Sequence, residues 1–112
     1  MSYAPERCDV IWILLNPHKG HEHTGNRPAV VLSPQKYNEK VGLLICCPVT
    51  SQKKGYPFEV EIPDGLPISG VILADQVKSL DWHERQATFI CKLPAEIVSA
   101  AIGKLGVLIQ EK

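Results

Sequence analysis

The segment from Gly25 to Pro34 reads GNRPAVVLSP and carries a charged side chain from a polar stretch into an apolar one. Arg27 falls at the mouth of a strand predicted over Pro28 to Ser33, and Pro28 fixes the backbone directly after it. A guanidinium on such a stiff base is a planar, permanently charged fork suited to gripping a phosphate. The plainer reading is a surface arginine paired with a carboxylate, because most arginines sit at surfaces. A second segment, Pro48 to Ser51, is followed by Gln52, Lys53 and Lys54. It comes after an apolar run and is expected to reach the same rim. Hydroxyls and lysines beside an arginine form an oxyanion and phosphate site. Taken alone, a Thr-Ser pair in a loop is a turn former that bonds its own backbone. Only convergence with Arg27 in space separates the two readings.

Other chemistry-bearing residues point less sharply. His18, His21, Glu22 and His23 share a polar stretch, Asn16 to Asn26, that holds three of the four histidines and no hydrophobic residue. Their spacing matches no standard zinc template and no cysteine pair assists, so no metal is expected. Proton transfer by one of them fits better, since histidine titrates near neutrality; solvated loop histidines are the default. Of the aromatic residues, Trp12 and Phe58 lie in predicted strands and read as core. Tyr56, between Gly55 and Pro57, is placed to stack on an unpaired base. Asp81 to Arg85 contains an Asp and a His without a nucleophile elbow, and reads as a capped helical turn with Trp82 buried. There is no phosphate-cradling glycine loop and no dinucleotide fingerprint.

The elements that must position these residues fit into one domain, residues 1–112. Hydrophobic residues make up 45% and charged residues 21%, as in an ordinary globular protein. Twelve basic side chains balance twelve acidic ones, whereas a protein that grips duplex DNA through many phosphates is normally more basic than this. The balance is uneven along the chain. Residues 1–56 carry seven basic and four acidic groups and residues 57–112 five and eight, so a local basic face is available to the first half. No signal peptide and no membrane-length apolar run are visible, and a cytoplasmic location is expected. The cysteines, Cys8, Cys46, Cys47 and Cys91, read as buried reduced thiols, with Cys46 and Cys47 on opposite faces of a strand.

Strands are predicted at Cys8 to Leu15, Ala29 to Leu32, Val41 to Cys47, Phe58 to Ile62, Gly70 to Leu73 and Gln86 to Cys91. Gln35 to Lys40 reads as a turn, Pro48 to Gly55 as a polar loop, and Pro63 to Pro67 as a turn. From Pro94 onward, Ile97, Val98, Ala101, Ile102, Leu105 and Leu108 repeat at helical spacing. Gly103 and Gly106 on that helix would admit another backbone, as in a dimer contact. The predicted architecture is a small, strongly curved antiparallel β-barrel with a C-terminal helix.

Taken in order, several stretches resemble the MazF/PemK family of toxin–antitoxin endoribonucleases. These are Asp9 to Trp12, Asn16-Pro17, Lys19-Gly20, Glu22, Gly25 to Pro34, Pro48 to Ser51, Gly55 to Val60 and Leu73 to Trp82. The resemblance spans roughly residues 8 to 109, and ordered segments of this length are a specific signal. It implies a compact barrel related to SH3-like folds, assembled as a homodimer with an RNA groove at the interface. It further implies metal-independent cleavage of single-stranded RNA, often mRNA, at short motifs, leaving a 2′,3′-cyclic phosphate and a 5′-hydroxyl. A cognate MazE-like antitoxin would block the groove with an acidic, disordered tail. The family's catalytic arginine and threonine fall on Arg27 and Thr50, with Glu22 and Ser51 in supporting positions. Lys19, His21, His23, Gln52, Lys53, Lys54 and Tyr56 are the expected RNA contacts, and no cofactor is called for.

Such chemistry needs positioning, charge stabilisation and proton transfer, because the ribose 2′-hydroxyl is itself the nucleophile. Arginine is a poor general base, its pKa exceeding about 12, so Glu22 or a loop histidine is the expected proton acceptor. The stretch around His18, His21 and His23 is richer in histidine than family loops usually are. The rival reading is a CcdB-like poison that binds DNA gyrase without cutting RNA. Those proteins end in a Trp-Gly-Ile type motif, whereas this chain ends LIQEK. A third reading, a regulator that only binds nucleic acid or antitoxin, is weakened by the presence of Arg27, Thr50 and Ser51.

Overall fold

The computed structural model describes residues 3–15 and 26–110. Seven strands and two helices occur there, in the order β1 (Asp9–Leu14), β2 (Asn26–Val31), α1 (Gln35–Val41), β3 (Leu43–Thr50), β4 (Glu59–Glu61), β5 (Val71–Leu73), β6 (Lys78–Asp81), β7 (Thr88–Lys92) and α2 (Ala95–Ile109). The hydrogen-bonded path runs β4-β5-β3-β2-β1-β7, and its pairings are antiparallel. β6 joins off this path, on β3. The path has two ends, β4 and β7, so the barrel-like sheet is open rather than closed.

β3 organises the molecule. Along one side it pairs with β2; along the other its first half takes β6, through Leu43 to Cys46, and its end takes β5, through Val49 and Thr50. Alternation along β3 divides two hydrophobic cores. Cys47 and Val49 enter a cluster with Val10, Val30, Val60 and Ile72, which α2 covers with Val98 and Ala101. Cys46 and Leu44 enter another, with Ile11, Ile13, Val31 and Trp82. The adjacent cysteines thus face opposite cores, as a period of two requires, and both thiols are pushed up to about 12, chiefly by burial. All four cysteines are free.

Several sequence-based expectations change. Gln35 to Lys40 is not a turn but most of α1. Tertiary hydrogen bonds hold this short helix: Asn38 is fully buried, accepts from Ser33 Oγ at 2.6 Å and donates to the Pro5 carbonyl at 2.9 Å. The Trp82 indole N–H donates to the Asn38 carbonyl at 3.0 Å, which fixes Trp82 in the core as expected. Pro48 to Thr50 is strand rather than loop, because Ala29 of β2 pairs with Pro48 and β5 pairs with Val49 and Thr50 from more than twenty residues away. β6 escaped the sequence reading because only Leu80 of its four residues is buried. It leads into the expected capped turn, where Asp81 Oδ1 accepts the N–H groups of His83 and Glu84 at 3.1 Å each.

Trp12 is not core. It is 40% exposed on β1, where VIWIL has no polar residue to mark the wet face. Phe58 is half-buried. In α2, Val98 and Ala101 are buried and Ile97 and Leu105 pack beside them, but Ile102 and Leu108 are 38% and 50% exposed. Among the described residues no helix is long and apolar enough to cross a membrane.

Candidate functional site

The register of two neighbouring strands builds the site. Ala29 of β2 pairs with Pro48 of β3, Val30 with Cys47, and Val31 with Cys46. Two residues further along each strand stand Arg27 and Thr50, on the same face by alternation. Both line a cleft of about 400 Å³, together with Pro28, Val49, Ser51, Gln52, Ile68 and Ser69. Arg27 lies inside β2, paired with Ile13 of β1, rather than just ahead of the strand. Its base is therefore held by a cross-strand neighbour as well as by Pro28. Arg27 is exposed and Thr50 half-buried, so the guanidinium reaches solvent while the hydroxyl is held against the sheet.

At the end of β3 the Gln52 backbone N–H donates to Thr50 Oγ1 at 3.1 Å. This is the local turn bond that a threonine there makes in any case. It also fixes the hydroxyl's direction and leaves the hydroxyl proton as a donor. The cleft combines a planar cation, a held hydroxyl, the Ser51 side chain and an amide, which is a donor-rich wall for an oxyanion.

The 52–56 segment divides. A second cleft of about 260 Å³ shares Thr50 and Gln52 with the first and adds Lys54, Tyr56, Glu59, Leu73 and Gln76. Glu59 shapes this loop by accepting the backbone N–H groups of Lys54 and Gly55 at 3.0 and 3.1 Å. The Tyr56 hydroxyl donates to Asp75, which raises the phenol's pKa, and the ring remains 44% exposed. Lys53 lines neither cleft. Its ammonium pairs with Glu61, whose carboxylate raises its pKa first by hydrogen bonding and then by charge. The expected basic patch is therefore partly neutralised at Lys53.

Lys19, His21, Glu22 and His23, with His18, lie outside the described residues. Among the described residues no group of three or more His, Cys, Asp or Glu side chains is gathered as a metal site. Sequence reasoning missed Ile68 and Ser69, which form the far wall of the first cleft, and Gln76 in the second. No local signal marks these residues; the β3–β5 pairing brings them in.

Comparison with known proteins gives the arrangement a context. Residues 6–109 match the family described as PemK-like, MazF-like toxin of type II toxin-antitoxin system. The chain is 49% identical over 107 residues to the endoribonuclease toxin MazF of Escherichia coli K12, covering 96% of each chain. It is 32% identical over 111 residues to the endoribonuclease toxin ChpB of the same strain, covering 94% of each. Among solved structures it superposes on MazF from Deinococcus radiodurans with a TM-score of 0.88 at 48% identity, over 96% of this chain and 98% of that one. A MazE-MazF complex from the same organism aligns with a TM-score of 0.88 at 43% identity, over 99% and 100%. These relatives favour the nuclease over the gyrase-binding reading. Matched by the family model over nearly all its length, the chain belongs to the PemK-like, MazF-like toxins of type II toxin–antitoxin systems.

Proposed function

We propose that this chain, an endoribonuclease toxin by family, cuts single-stranded RNA in the Arg27–Thr50 cleft without a metal. The observation that carries this reading is the seating of Arg27 and Thr50 on adjacent strands in one cleft. The ribose 2′-oxygen attacks the adjacent phosphorus, the bond from phosphorus to the 5′-oxygen breaks, and a 2′,3′-cyclic phosphate and a 5′-hydroxyl remain. The 2′-hydroxyl proton passes to a base, Glu22, His21 or His23, and solvent water supplies the proton taken up by the departing 5′-oxygen. Arg27 and the Thr50 hydroxyl stabilise the charge growing on the phosphate oxygens, and Ser51 supports them. Lys19, Gln52, Lys54 and Tyr56 hold the flanking nucleotides, with Lys53 as a reserve charge.

The working unit is a homodimer in the cytoplasm, and a MazE-like antitoxin inhibits it by occupying the same groove. The co-crystallised MazE-MazF pairs of a close structural relative support that partner. The test is a defined single-stranded RNA incubated with the purified protein in EDTA, with product ends mapped and Arg27→Ala run beside it. EDTA-resistant cleavage to cyclic-phosphate ends, lost in the variant, is the expected result. Cleavage that EDTA stops, or that the variant retains, overturns the reading.

A further inference from the structure

Behind the cleft the chain makes a backbone contact that only a glycine permits. Gly70 precedes β5 and has φ +116°, a conformation that side-chain-bearing L-residues rarely adopt. A Cβ built on it would stand 2.1 Å from the Thr50 carbonyl oxygen, 2.9 Å from the Thr50 carbonyl carbon and 3.0 Å from the Ser51 Cα. These are main-chain atoms and cannot swing aside as a side-chain tip would. The Gly70 carbonyl is itself tied down, accepting the Ile62 N–H at 3.0 Å, and the next residue, Val71, pairs with Thr50. The bare Cα of Gly70 is thus pressed against the peptide between Thr50 and Ser51, just where β3 leaves the sheet. Two residues before it, Ile68 begins the far wall of the same cleft.

We infer that Gly70 is a positioning residue for RNA cleavage, setting the Thr50–Ser51 peptide and through it the direction of the Thr50 hydroxyl. The inference rests on the reading of Thr50 as a catalytic side chain. A methyl group at position 70 must push that peptide away, carrying with it Thr50 Oγ1 and the Gln52 N–H that holds it. A displacement of about 1 Å at a reacting group is enough to cost roughly 10²-fold in rate. Gly65 separates this effect from simple backbone strain. It too has positive φ, +94°, but nothing lies within 4 Å of its Cβ position.

The experiment compares Gly70→Ala, Gly65→Ala and Thr50→Ala for steady-state RNA cleavage, thermal unfolding and the NMR signal of the Thr50 methyl group. Gly70→Ala is expected to lower kcat about 10²-fold with KM for RNA nearly unchanged, and to move the Thr50 methyl signal. Gly65→Ala is expected to lose thermal stability while keeping both kcat and that signal. A kcat for Gly70→Ala equal to that of Gly65→Ala, or a fall in kcat with an unmoved Thr50 signal, overturns the inference while leaving the cleft's assignment intact. Full activity in Thr50→Ala overturns both. If Gly70→Ala does not fold, Ser69→Gly, measured relative to Ser69→Ala because the Ser69 side chain lines the cleft, loosens the same segment without adding an atom. It should lower kcat severalfold in the wild-type background and not at all beside Thr50→Ala; equal losses in the two backgrounds overturn the inference.

Discussion

Arg27 and Thr50 each stand two residues beyond the Ala29–Pro48 cross-strand pair, one on β2 and the other on β3. Because side chains alternate with a period of two, that offset returns both to one face. Their meeting in a single cleft is therefore a property of strand register, not of a loop conformation. Chemistry that depends on a guanidinium and a hydroxyl acting together gains from such a base, since neither residue has a free hinge behind it.

Arg27→Ala should reduce the single-turnover cleavage rate by about 10²–10³, the usual effect of deleting one preorganised donor to a developing anion. Arg27→Lys keeps the charge but loses the planar fork, and should fall between wild type and alanine. The side chain is exposed, so neither change should lower the thermal midpoint appreciably. A lysine variant with the full wild-type rate would show that charge alone suffices.

Lys53 spends its charge on Glu61. Glu61→Gln should release it toward the RNA, tightening binding and steepening the salt dependence by up to about 0.7 in the log–log slope, the increment for one more phosphate contact on a single strand. Fluorescence anisotropy with a non-cleavable RNA across a salt series measures this directly. An unchanged slope would place Lys53 outside the RNA path.

Asp9 is a buried carboxylate that accepts from the Tyr3 hydroxyl at 2.7 Å and the Glu6 N–H at 2.9 Å, with the Lys92 ammonium 2.9 Å away. Asp9→Ala should cost about 2–3 kcal/mol, because donors inside the fold lose a charged acceptor. Asp9 begins β1, whereas Ile13, the partner of Arg27, lies near its other end. Cleavage per folded molecule should therefore persist. Urea unfolding beside active-site titration separates the two quantities; a proportional loss of specific activity would contradict this separation.

Alkali should unfold the protein through the thiols of β3. Burial raises Cys46 and Cys47 from an ordinary value of 9.0 to about 12. The unfolded chain thus releases these protons first, and the native state loses stability as pH rises between about 9 and 12. Tyr3, raised mainly by burial, and Lys92, raised first by its hydrogen bond to Asp9, act in the same direction at the upper end of that range. In Cys46→Ala/Cys47→Ala the midpoint of urea unfolding should start lower at pH 8 but fall less steeply up to pH 11. An identical slope in both proteins would remove the thiols from the account.

Elements whose signal is local were readable in the sequence. β1, the core of β2, the first part of β3 and α2 announce themselves by apolar runs or helical spacing, and the Asp81 turn by its capping residue. Three features depend on distant partners and were not. α1 is fixed by Asn38 bonding to Pro5 and Trp82, β6 by its seat on β3, and the last residues of β3 by β5. The site divides in the same way. Arg27 and Thr50 stand out as residue types, but their convergence is a long-range fact, as are the wall at Ile68 and Ser69 and the contact of Gly70 with Thr50. Trp12 misled because an unbroken apolar run does not say which of its members faces water.

The adjacent thiols of β3 have a further consequence. A strand with one wet face can slip by a residue at the cost of a single core. If β3 slipped, Cys46 and Cys47 would exchange sides and both cores would be mispacked at once. The strand therefore has an error-checking character: only one alignment satisfies the two interiors together. Thr50 inherits its place from that alignment, so substitutions deep in either interior, far from any RNA, can misplace the hydroxyl by way of the strand that carries it.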